Sequence, residues 1–360
     1  MNGAQTPRRR PATAEEVARV AGVSVATVSR TFNRPTIVHP ATRRKVLDVA
    51  ERLQYSPSIT ARTLITGRSH VIGVILSDIE IPFFVSIARA IQDLARSGGY
   101  ETLIGNSDEV PSRQDELLDA FEGRQVDGLI VSPASGSYER LAEVAGWIPV
   151  VLVDRLVPGL EVDAVLSTNF DAAKSATGHL LELGHRRIAY VTDELDKTST
   201  QERLDGYFAV HREFGIEPDE SLIWIVPYRP LACADRLVNR FRRERVTAVV
   251  ASEGSITLGV LLAAPRAGLR IPQDISLIGF DELLWSAAAY VPVTVVSQDT
   301  EKIGTTAMRL LLDRIEGNAP RAARVHRIPT ALIQRHSTRP PSGSLPGRTS
   351  DAEHGEGDGP

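Results

Sequence analysis

From His70 onward, short apolar runs alternate with amphipathic helical stretches, and no other feature of the sequence constrains the fold as strongly. Strands are predicted at residues 71–77, 101–105, 128–132, 150–153, 164–168, 188–191, 222–226, 248–251 and 276–279. Helical patterns between them include residues 84–96, 170–183, 202–214 and 256–267. This alternation predicts βαβ units and parallel sheets. The strands are too many for one small sheet, so we predict an α/β body of two doubly wound lobes with a ligand crevice between them.

Charge is distributed unevenly along the chain. Residues 1–70 hold twelve lysines and arginines against four acidic residues, a local charge of +8, whereas the whole chain carries −4 and the remainder therefore −12. A basic head on an acidic body favours a polyanionic partner for the head, although an Arg-rich solvated surface would give the same count.

Cysteine content and hydropathy bound the cellular setting. Cys233 is the single cysteine, so an internal disulfide is impossible and a reducing compartment is expected. No signal peptide is recognisable, and no run approaches the roughly 18 apolar residues of a membrane span. We therefore expect a soluble, cytoplasmic protein without membrane contact.

Within the basic head, the pattern of residues 13–54 predicts three short helices. Thr13 and Glu16 form a capping-box pattern at the start of the first helix, and a turn at Gly22 separates it from a second helix that Ser24 caps. Pro40 is placed to open the third. The apolar residues assigned to the buried sides of the first and third helices are Val17, Ala18, Val20 and Ala21, then Val46, Leu47, Val49, Ala50 and Leu53. Two short helices joined by a tight turn predict a helix-turn-helix.

In a helix-turn-helix, the second helix lies in the DNA major groove. Arg30 could contact guanine in a bidentate manner, and Val25 and Ala26 offer apolar contact to a thymine methyl. The short polar side chains suited to phosphate are Thr27, Ser29, Asn33 and Thr42. A small helical bundle that binds no DNA would share this pattern.

A long, ordered series of motifs resembles the LacI/GalR family of bacterial repressors over residues 13–338. The motifs are AGVSVATVSR, TRRKV, LQYSPS, TARTL, IGV, PFF, VDGLI, VLVDR, LGHRRIAYV, RLDGY, ISLIGFD and LIQRHST. The resemblance implies a repressor that binds double-stranded DNA as a homodimer at a near-palindromic operator. It also implies a hinge helix at residues 58–65, where Ala61 and Leu64 contact DNA and Leu64 wedges into the minor groove. Ile65 departs from the polar or basic residue of some relatives.

For the body, the resemblance implies a two-lobed periplasmic-binding-protein fold that closes on a small-molecule effector, expected to be a sugar or a related metabolite. The lobes would comprise residues 70–162 with 292–324, and 163–291 with 325–338. Matching motifs place effector contacts at Phe83, Phe84, Asp154, Arg203 and Asp281. The resemblance also implies that Tyr228 is the stacking aromatic residue of the opposite lobe. Simpler interpretations are core packing for Phe83, helix capping for the two aspartates and a surface ion pair for Arg203.

One stretch departs from the family. Glu253 and Gly254 stand where relatives usually have Asn-Asp, which changes the shape and charge of the crevice and leaves a non-sugar ligand, or none, open. We expect no cofactor and no metal.

The predicted layout is a disordered start (1–12), a DNA-binding domain (13–56), a hinge and linker (57–69), an effector-binding and dimerisation domain (70–338) and a disordered tail (339–360). Other functions compatible with an α/β body are a sugar-modifying enzyme and a sugar-binding protein without operator binding. The sequence lacks GxSxG, P-loop, HExxH and CxxC motifs, which disfavours an enzyme.

Overall fold

The computed structural model describes residues 12–33, 35–55, 68–136 and 138–342. They form two compact units, one reaching to Val71 and including Arg124–Asp127, the other comprising Ile72–Gly123 and the chain from Gly128. Ala61 and Leu64 of the predicted hinge lie outside the described residues.

Three α-helices build the first unit: α1 (Ala14–Ala21), α2 (Val25–Asn33) and α3 (Pro40–Arg52), with a 3₁₀ turn at Pro35–Ile37 between the last two. The predicted capping box is present, because Thr13 Oγ1 accepts from the Glu16 amide at 3.3 Å and Glu16 Oε2 accepts from the Thr13 amide at 2.8 Å. Gly22 follows α1 with φ +63°, a left-handed conformation that glycine adopts without strain. Pro40 opens α3 as predicted.

A small apolar core holds the three helices together. Its buried members are Val17, Ala18, Ala21, Val28, Val46, Val49 and Ala50. The rings of Phe32 and Tyr55 close its edge, their centroids 5.7 Å apart. Val20 and Leu47, which the sequence analysis placed on buried sides, are 41% and 42% exposed. On so short a bundle each helix buries a stripe of about one residue per turn, and these two lie just outside it.

Helices and strands alternate through the second unit. The strands are β1 (Val71–Leu76), β2 (Glu101–Asn106), β3 (Gly128–Val131), β4 (Val150–Val153), β5 (Asp163–Ser167), β6 (Ile188–Thr192), β7 (Ile223–Ile225), β8 (Ala248–Ala251), β9 (Ser276–Phe280), β10 (Thr294–Gln298), β11 (Val325–Ile328) and β12 (Thr330–Ile333). The helices are α4 (Pro82–Ser97), α5 (Pro111–Gly123), α6 (Glu139–Ala145), α7 (Asn169–Glu182), α8 (Thr198–Glu213), α9 (Pro230–Arg243), α10 (Gly254–Arg266), α11 (Leu284–Ala288) and α12 (Thr300–Glu316).

The strands form two six-stranded sheets, in the orders β11-β5-β4-β3-β1-β2 and β12-β10-β9-β8-β6-β7. Strand β12 runs antiparallel to β10, whereas β6, β8, β9 and β10 pair in parallel. The two lobes are therefore doubly wound α/β layers, as predicted. We call the lobe around the first sheet lobe 1 and the other lobe 2.

The chain crosses between the lobes at positions that differ from the predicted ones. Strands β5 and β11 pair with each other in lobe 1, and β10 pairs within lobe 2. The crossings thus fall near residues 168, 299 and 329, a few residues after each predicted boundary. A buried strand has the same apolar pattern in either sheet, so only its hydrogen-bonded neighbours decide its lobe.

Both faces of the lobe 2 sheet are covered. Val249 lies in a core with α9 and α10, whereas its neighbour Val250 lies in a second core with α7 and α8. This follows from the alternation of side chains along a strand.

The body also continues past residue 338, because Arg339 O is 3.0 Å from Ser276 Oγ and 2.8 Å from His185 Nε2, although the tail was predicted to start at 339. In the described ranges no helix is long and apolar enough to span a bilayer.

Candidate functional site

Helix α2 presents an exposed face in the first unit. Val25, Ala26 and Arg30 are exposed and Thr27 and Ser29 are half-buried, whereas Val28 and Thr31 face the core. The positions predicted to read bases are thus the ones that packing leaves accessible. Thr42 is half-buried on α3, and Asn33 is the last residue of α2.

Ser24 organises the start of α2. Its Oγ accepts from the Thr27 amide at 3.1 Å and lies 2.9 Å from Thr27 Oγ1. The hydroxyl of Thr27 is therefore already hydrogen-bonded to the capping residue Ser24, and a contact with phosphate would be made in addition to that bond.

The second unit has a narrow cavity between its two lobes, at the carboxyl ends of the strands. All six predicted effector residues line it: Phe83, Phe84, Asp154, Arg203, Tyr228 and Asp281. Ten further residues share the lining: Ile81, Glu109, Arg155, Asp193, Lys197, Ser199, Thr200, Ser252, Glu253 and Gln298. The fold thus gathers in one place residues that are up to 217 positions apart, from Ile81 to Gln298.

The two predicted aspartates occupy equivalent positions in the two lobes. Asp154 follows β4 with φ +74° and Asp281 follows β9 with φ +68°, a left-handed conformation that aspartate tolerates better than most residues. Gln298 Nε2 donates to Asp281 at 2.7 Å, and the Gly254 amide donates to its second oxygen at 3.1 Å. Asp281 therefore caps α10 and also borders the cavity. Burial raises its pKa, although Arg203 and the two hydrogen bonds oppose the shift.

Arg203, from α8, is buried and bonded to neutral groups. Its guanidinium donates to Asn169 Oδ1 at 2.8 Å, to the Ser252 carbonyl at 2.5 Å and to Gln298 Oε1 at 3.4 Å. It also stacks on the Phe280 ring at 4.4 Å. The alternative of a surface ion pair is therefore wrong for this arginine.

A chain of buried, charged side chains lines part of the cavity. Arg155 donates to Asp154 at 2.9 Å and, through two nitrogens, to both carboxylate oxygens of Glu109 at 3.0 and 3.1 Å. Lys197 lies 3.6 Å from Glu109 and also pairs with Asp193 at 2.5 Å. Burial acts to raise the pKa of Glu109, but the charges of Arg155 and Lys197 outweigh it and hold the pKa below its usual range.

Sequence reasoning missed Glu109, Arg155, Lys197 and Gln298. Arg155 stands in the quoted VLVDR motif, and Gln298 ends β10, a strand that the sequence analysis did not predict. Glu109 follows β2 with φ +56°, so its role depends on a turn that the sequence pattern does not mark.

Aromatic side chains close the cavity on both sides. Phe83 and Phe84 are buried in the lobe 1 core and meet edge to face at 5.1 Å, so they serve as packing and as cavity wall together. From lobe 2, the Tyr228 hydroxyl donates to Asp78 of lobe 1 at 3.0 Å. Burial raises the pKa of Tyr228, and the Asp78 carboxylate raises it further.

Polar contacts join the lobes around the cavity. Arg229 pairs with Asp78 at 3.2 Å, Arg327 with Glu202 at 2.6 Å, and the Leu156 amide donates to Thr198 Oγ1 at 2.9 Å. These contacts hold the two lobes together around the cavity. Among the described residues no cluster of side chains has the composition of a metal site.

Comparison with known proteins identifies two parts of the chain. Residues 13–58 match the bacterial regulatory proteins of the lacI family, and residues 177–338 match the periplasmic binding protein-like domain. The HTH-type transcriptional repressor PurR of Actinobacillus pleuropneumoniae serotype 3 is 31% identical over 307 residues, which is 85% of this chain and 91% of that protein.

Solved structures agree with the fold. The lac repressor dimer bound to operator and an anti-inducer superimposes with a TM-score of 0.81 over 92% of this chain and all of that one, at 24% identity. A LacI family transcriptional regulator from Enterococcus faecium with bound ribose gives 0.67 over 75% of this chain and 99% of that one, at 27% identity.

The fold and the cavity define a ligand-binding α/β body in a chain that also has a helix-turn-helix, which is the composition of a DNA-binding transcription regulator. The chain belongs to the lacI family of bacterial regulatory proteins. The resemblance that the sequence motifs indicated is confirmed.

Proposed function

We propose that this chain is a homodimeric repressor whose affinity for an operator is set by a small polyhydroxylated effector, of the sugar class, bound between the lobes. The observation that carries the proposal is the convergence of Phe83, Phe84, Asp154, Arg203, Tyr228 and Asp281 on one interlobe cavity. An effector that binds one lobe arrangement better than another shifts the equilibrium between them, and the DNA affinity with it.

DNA would be read by the exposed face of α2. Arg30 reads a base in the major groove, Val25 and Ala26 make apolar contacts, and phosphate contacts come from Thr27, Ser29, Asn33 and Thr42. Ala61 and Leu64 are proposed minor-groove contacts on the strength of the sequence resemblance alone. Two copies of this surface would require an operator of near two-fold symmetry.

The chemistry of the cavity supports a polyhydroxylated effector. Carboxylates, hydroxyls and the Gln298 amide offer many hydrogen-bond partners, and Phe83 and Phe84 provide an apolar wall. Sugars combine hydroxyls with apolar C–H faces, so such a mixed wall suits them. The regulator from E. faecium, a relative of similar fold, holds ribose.

Two exposed apolar faces of the body support a homodimer. On lobe 2, Leu284 is 90% exposed and Tyr290 is fully exposed beside a groove that includes Leu261, Leu269 and Ile271. On lobe 1, a second groove is lined by Ile79, Val85, Ala88 and Ile104, among others. Exposed apolar surface of this kind marks interaction sites, and we assign both faces to a second copy of the chain.

A band-shift experiment with the DNA upstream of the protein's own gene, with and without a panel of sugars, tests the proposal. We expect binding without sugar and at least one sugar that changes it. Arg30→Ala should weaken specific binding roughly 5- to 150-fold, equivalent to about 1–3 kcal/mol, and relax the preference at one base pair.

Arg52→Ala is the matched control, because Arg52 is an exposed arginine at the end of α3, away from the reading face. An Arg30→Ala protein that loses affinity equally for all sequences would contradict base reading. No binding to any genomic DNA would overturn the proposed function and leave a sugar-binding or sugar-modifying protein as the remaining interpretations.

A further inference from the structure

Glu253 lines the interlobe cavity and has a buried carboxylate oxygen with no hydrogen-bond partner among the described residues. It occupies the N-cap position of α10 in extended conformation, yet its side chain makes no capping hydrogen bond. The Gly254 amide at that helix end is bonded to Asp281 instead. Oε1 of Glu253 is enclosed and, among the described residues, has no hydrogen-bond partner. The side chain therefore has no structural role in the helix that it precedes.

Charge around Glu253 is out of balance. The cavity lining includes five carboxylates and three cations: Glu109, Asp154, Asp193, Glu253 and Asp281 against Arg155, Lys197 and Arg203. Arg155 and Lys197 are bonded to the first three carboxylates. Glu253 and Asp281 are left to share Arg203, whose hydrogen bonds go to neutral groups. Burial raises the pKa of Glu253, and the charges of Asp193 and Asp281 raise it further, whereas Lys197 and Arg203 oppose the rise. A cation bound beside this carboxyl group would therefore favour its charged form.

We propose that Glu253 is a specificity-determining residue that selects an effector carrying a protonated amine, namely an amino sugar or a similar amine-bearing polyhydroxylated molecule. The inference rests on the proposed function, because it names the chemical class of the effector that this cavity holds. An ammonium group would donate a hydrogen bond to Oε1 and would also place a positive charge beside the carboxylates of Glu253 and Asp281. A neutral hydroxyl could donate as well, but it would not stabilise the charged form of a carboxyl group whose burial favours the neutral form.

The size of the expected preference follows from the nature of the bond. A hydrogen bond between charged groups is worth about twice a neutral one, and a charge left unpaired in a buried site costs more than either. We therefore expect an amine to bind at least about tenfold more tightly than the hydroxyl compound of the same shape, which corresponds to about 1.4 kcal/mol.

The test uses the full-length protein and matched pairs of sugars: glucosamine with glucose, galactosamine with galactose and mannosamine with mannose. Isothermal titration calorimetry gives the dissociation constant for each member, and thermal denaturation gives the rise in melting temperature. We expect one pair in which the amine member binds at least about tenfold more tightly. In Glu253→Gln, which keeps the shape and removes the charge, the two members of that pair should bind within about twofold.

Glu194→Gln is the matched control, because Glu194 is an exposed acid of the same lobe, outside the cavity lining, and the same charge is removed. Operator binding by each variant establishes that it is folded. The inference is overturned by equal or tighter binding of the neutral sugars to the wild-type protein. It is equally overturned by an amine preference that persists in Glu253→Gln, or by the absence of binding in all three pairs.

These outcomes are separable from failure of the proposed function. A protein that shifts operator DNA and responds to a neutral sugar retains the proposed function and loses the inference about Glu253. A protein that shifts no genomic DNA loses the proposed function, whatever the sugar pairs show.

Discussion

At the scale of single residues, a side chain that lines the cavity can also stabilise the fold, and its chemical type alone does not show this. Arg203 joins Asn169, at the start of α7, to the ends of β8 and β10 through its guanidinium. A planar guanidinium can serve several acceptors at fixed angles, which a lysine ammonium on a flexible stem cannot. Arg203 thus connects three elements of lobe 2, and it is also a proposed effector contact.

Arg203→Lys should lower the free energy of unfolding by roughly 2–4 kcal/mol, because at least one buried acceptor would lose its donor. Urea denaturation monitored by circular dichroism measures the change. Arg212→Lys is the control on the same helix, since Arg212 is exposed and should cost little. Equal stability of the two variants would show that the buried hydrogen bonds of Arg203 contribute nothing.

At the scale of elements, one carboxylate organises the edge of the lobe 1 sheet. Asp163 is the first residue of β5 and is buried, and it accepts hydrogen bonds from Arg314 of α12 and from Arg324 just before β11. Burial alone would raise the pKa of Asp163, but these hydrogen bonds lower it to about 2. The cluster of Asp163, Arg314 and Arg324 therefore fixes the position at which β11 pairs with β5.

This cluster predicts a pH dependence of stability. A carboxylate whose pKa is lowered on folding stabilises the fold above its ordinary pKa of 3.8, and the contribution disappears as the pH falls towards about 2. We expect roughly 1–2 kcal/mol at neutral pH, because the partly exposed arginines allow some solvent screening. Asp163→Asn should lose this stability at pH 7, and its unfolding should no longer vary with pH through this group.

Urea denaturation of wild type and Asp163→Asn between pH 2 and 7 measures the difference. Asp274→Asn is the control, because Asp274 also has its pKa lowered to about 2, by hydrogen bonds from Arg270, but it lies exposed on a loop. A loss in Asp274→Asn as large as that in Asp163→Asn would contradict the importance of burial.

At the scale of the whole molecule, the proposed function uses two copies of the chain. A two-fold assembly doubles the number of base contacts that one three-helix head can make. The exposed Leu284 and Tyr290 supply a large apolar surface for such an assembly on lobe 2.

Tyr290→Asp should therefore shift the protein from dimer to monomer and weaken operator binding at least 100-fold. Burying an aspartate in an apolar interface is costly, and a monomer binds one half-site only. Light scattering after size-exclusion chromatography measures the mass, and a band shift measures the affinity. Phe214→Asp is the control, since Phe214 is an exposed aromatic residue at the end of α8. A Tyr290→Asp protein that remains a dimer would place the interface elsewhere.

Much of this molecule could be predicted from local sequence. The capping box at Thr13, the glycine turn at Gly22 and the proline start of α3 act within a few residues, so the order of letters is sufficient to specify them. The nine predicted strands are likewise present, because a buried strand needs only a short apolar run. The six cavity residues were found through family motifs, and local pattern alone would not have identified them.

What only the tertiary structure decided concerns partners that are far apart in the chain. The sequence alone determined the class of fold and most of its local elements, since most helices and short strands are marked by neighbouring residues; β10, β11 and β12 were not predicted. It could not assign β5, β10 and β11 to a lobe, and it could not show that Arg155 faces Glu109 while Glu253 faces no donor. Those facts depend on which side chains the fold buries next to one another. The net charge of a buried site is the sum over these side chains, which lie far apart in the sequence.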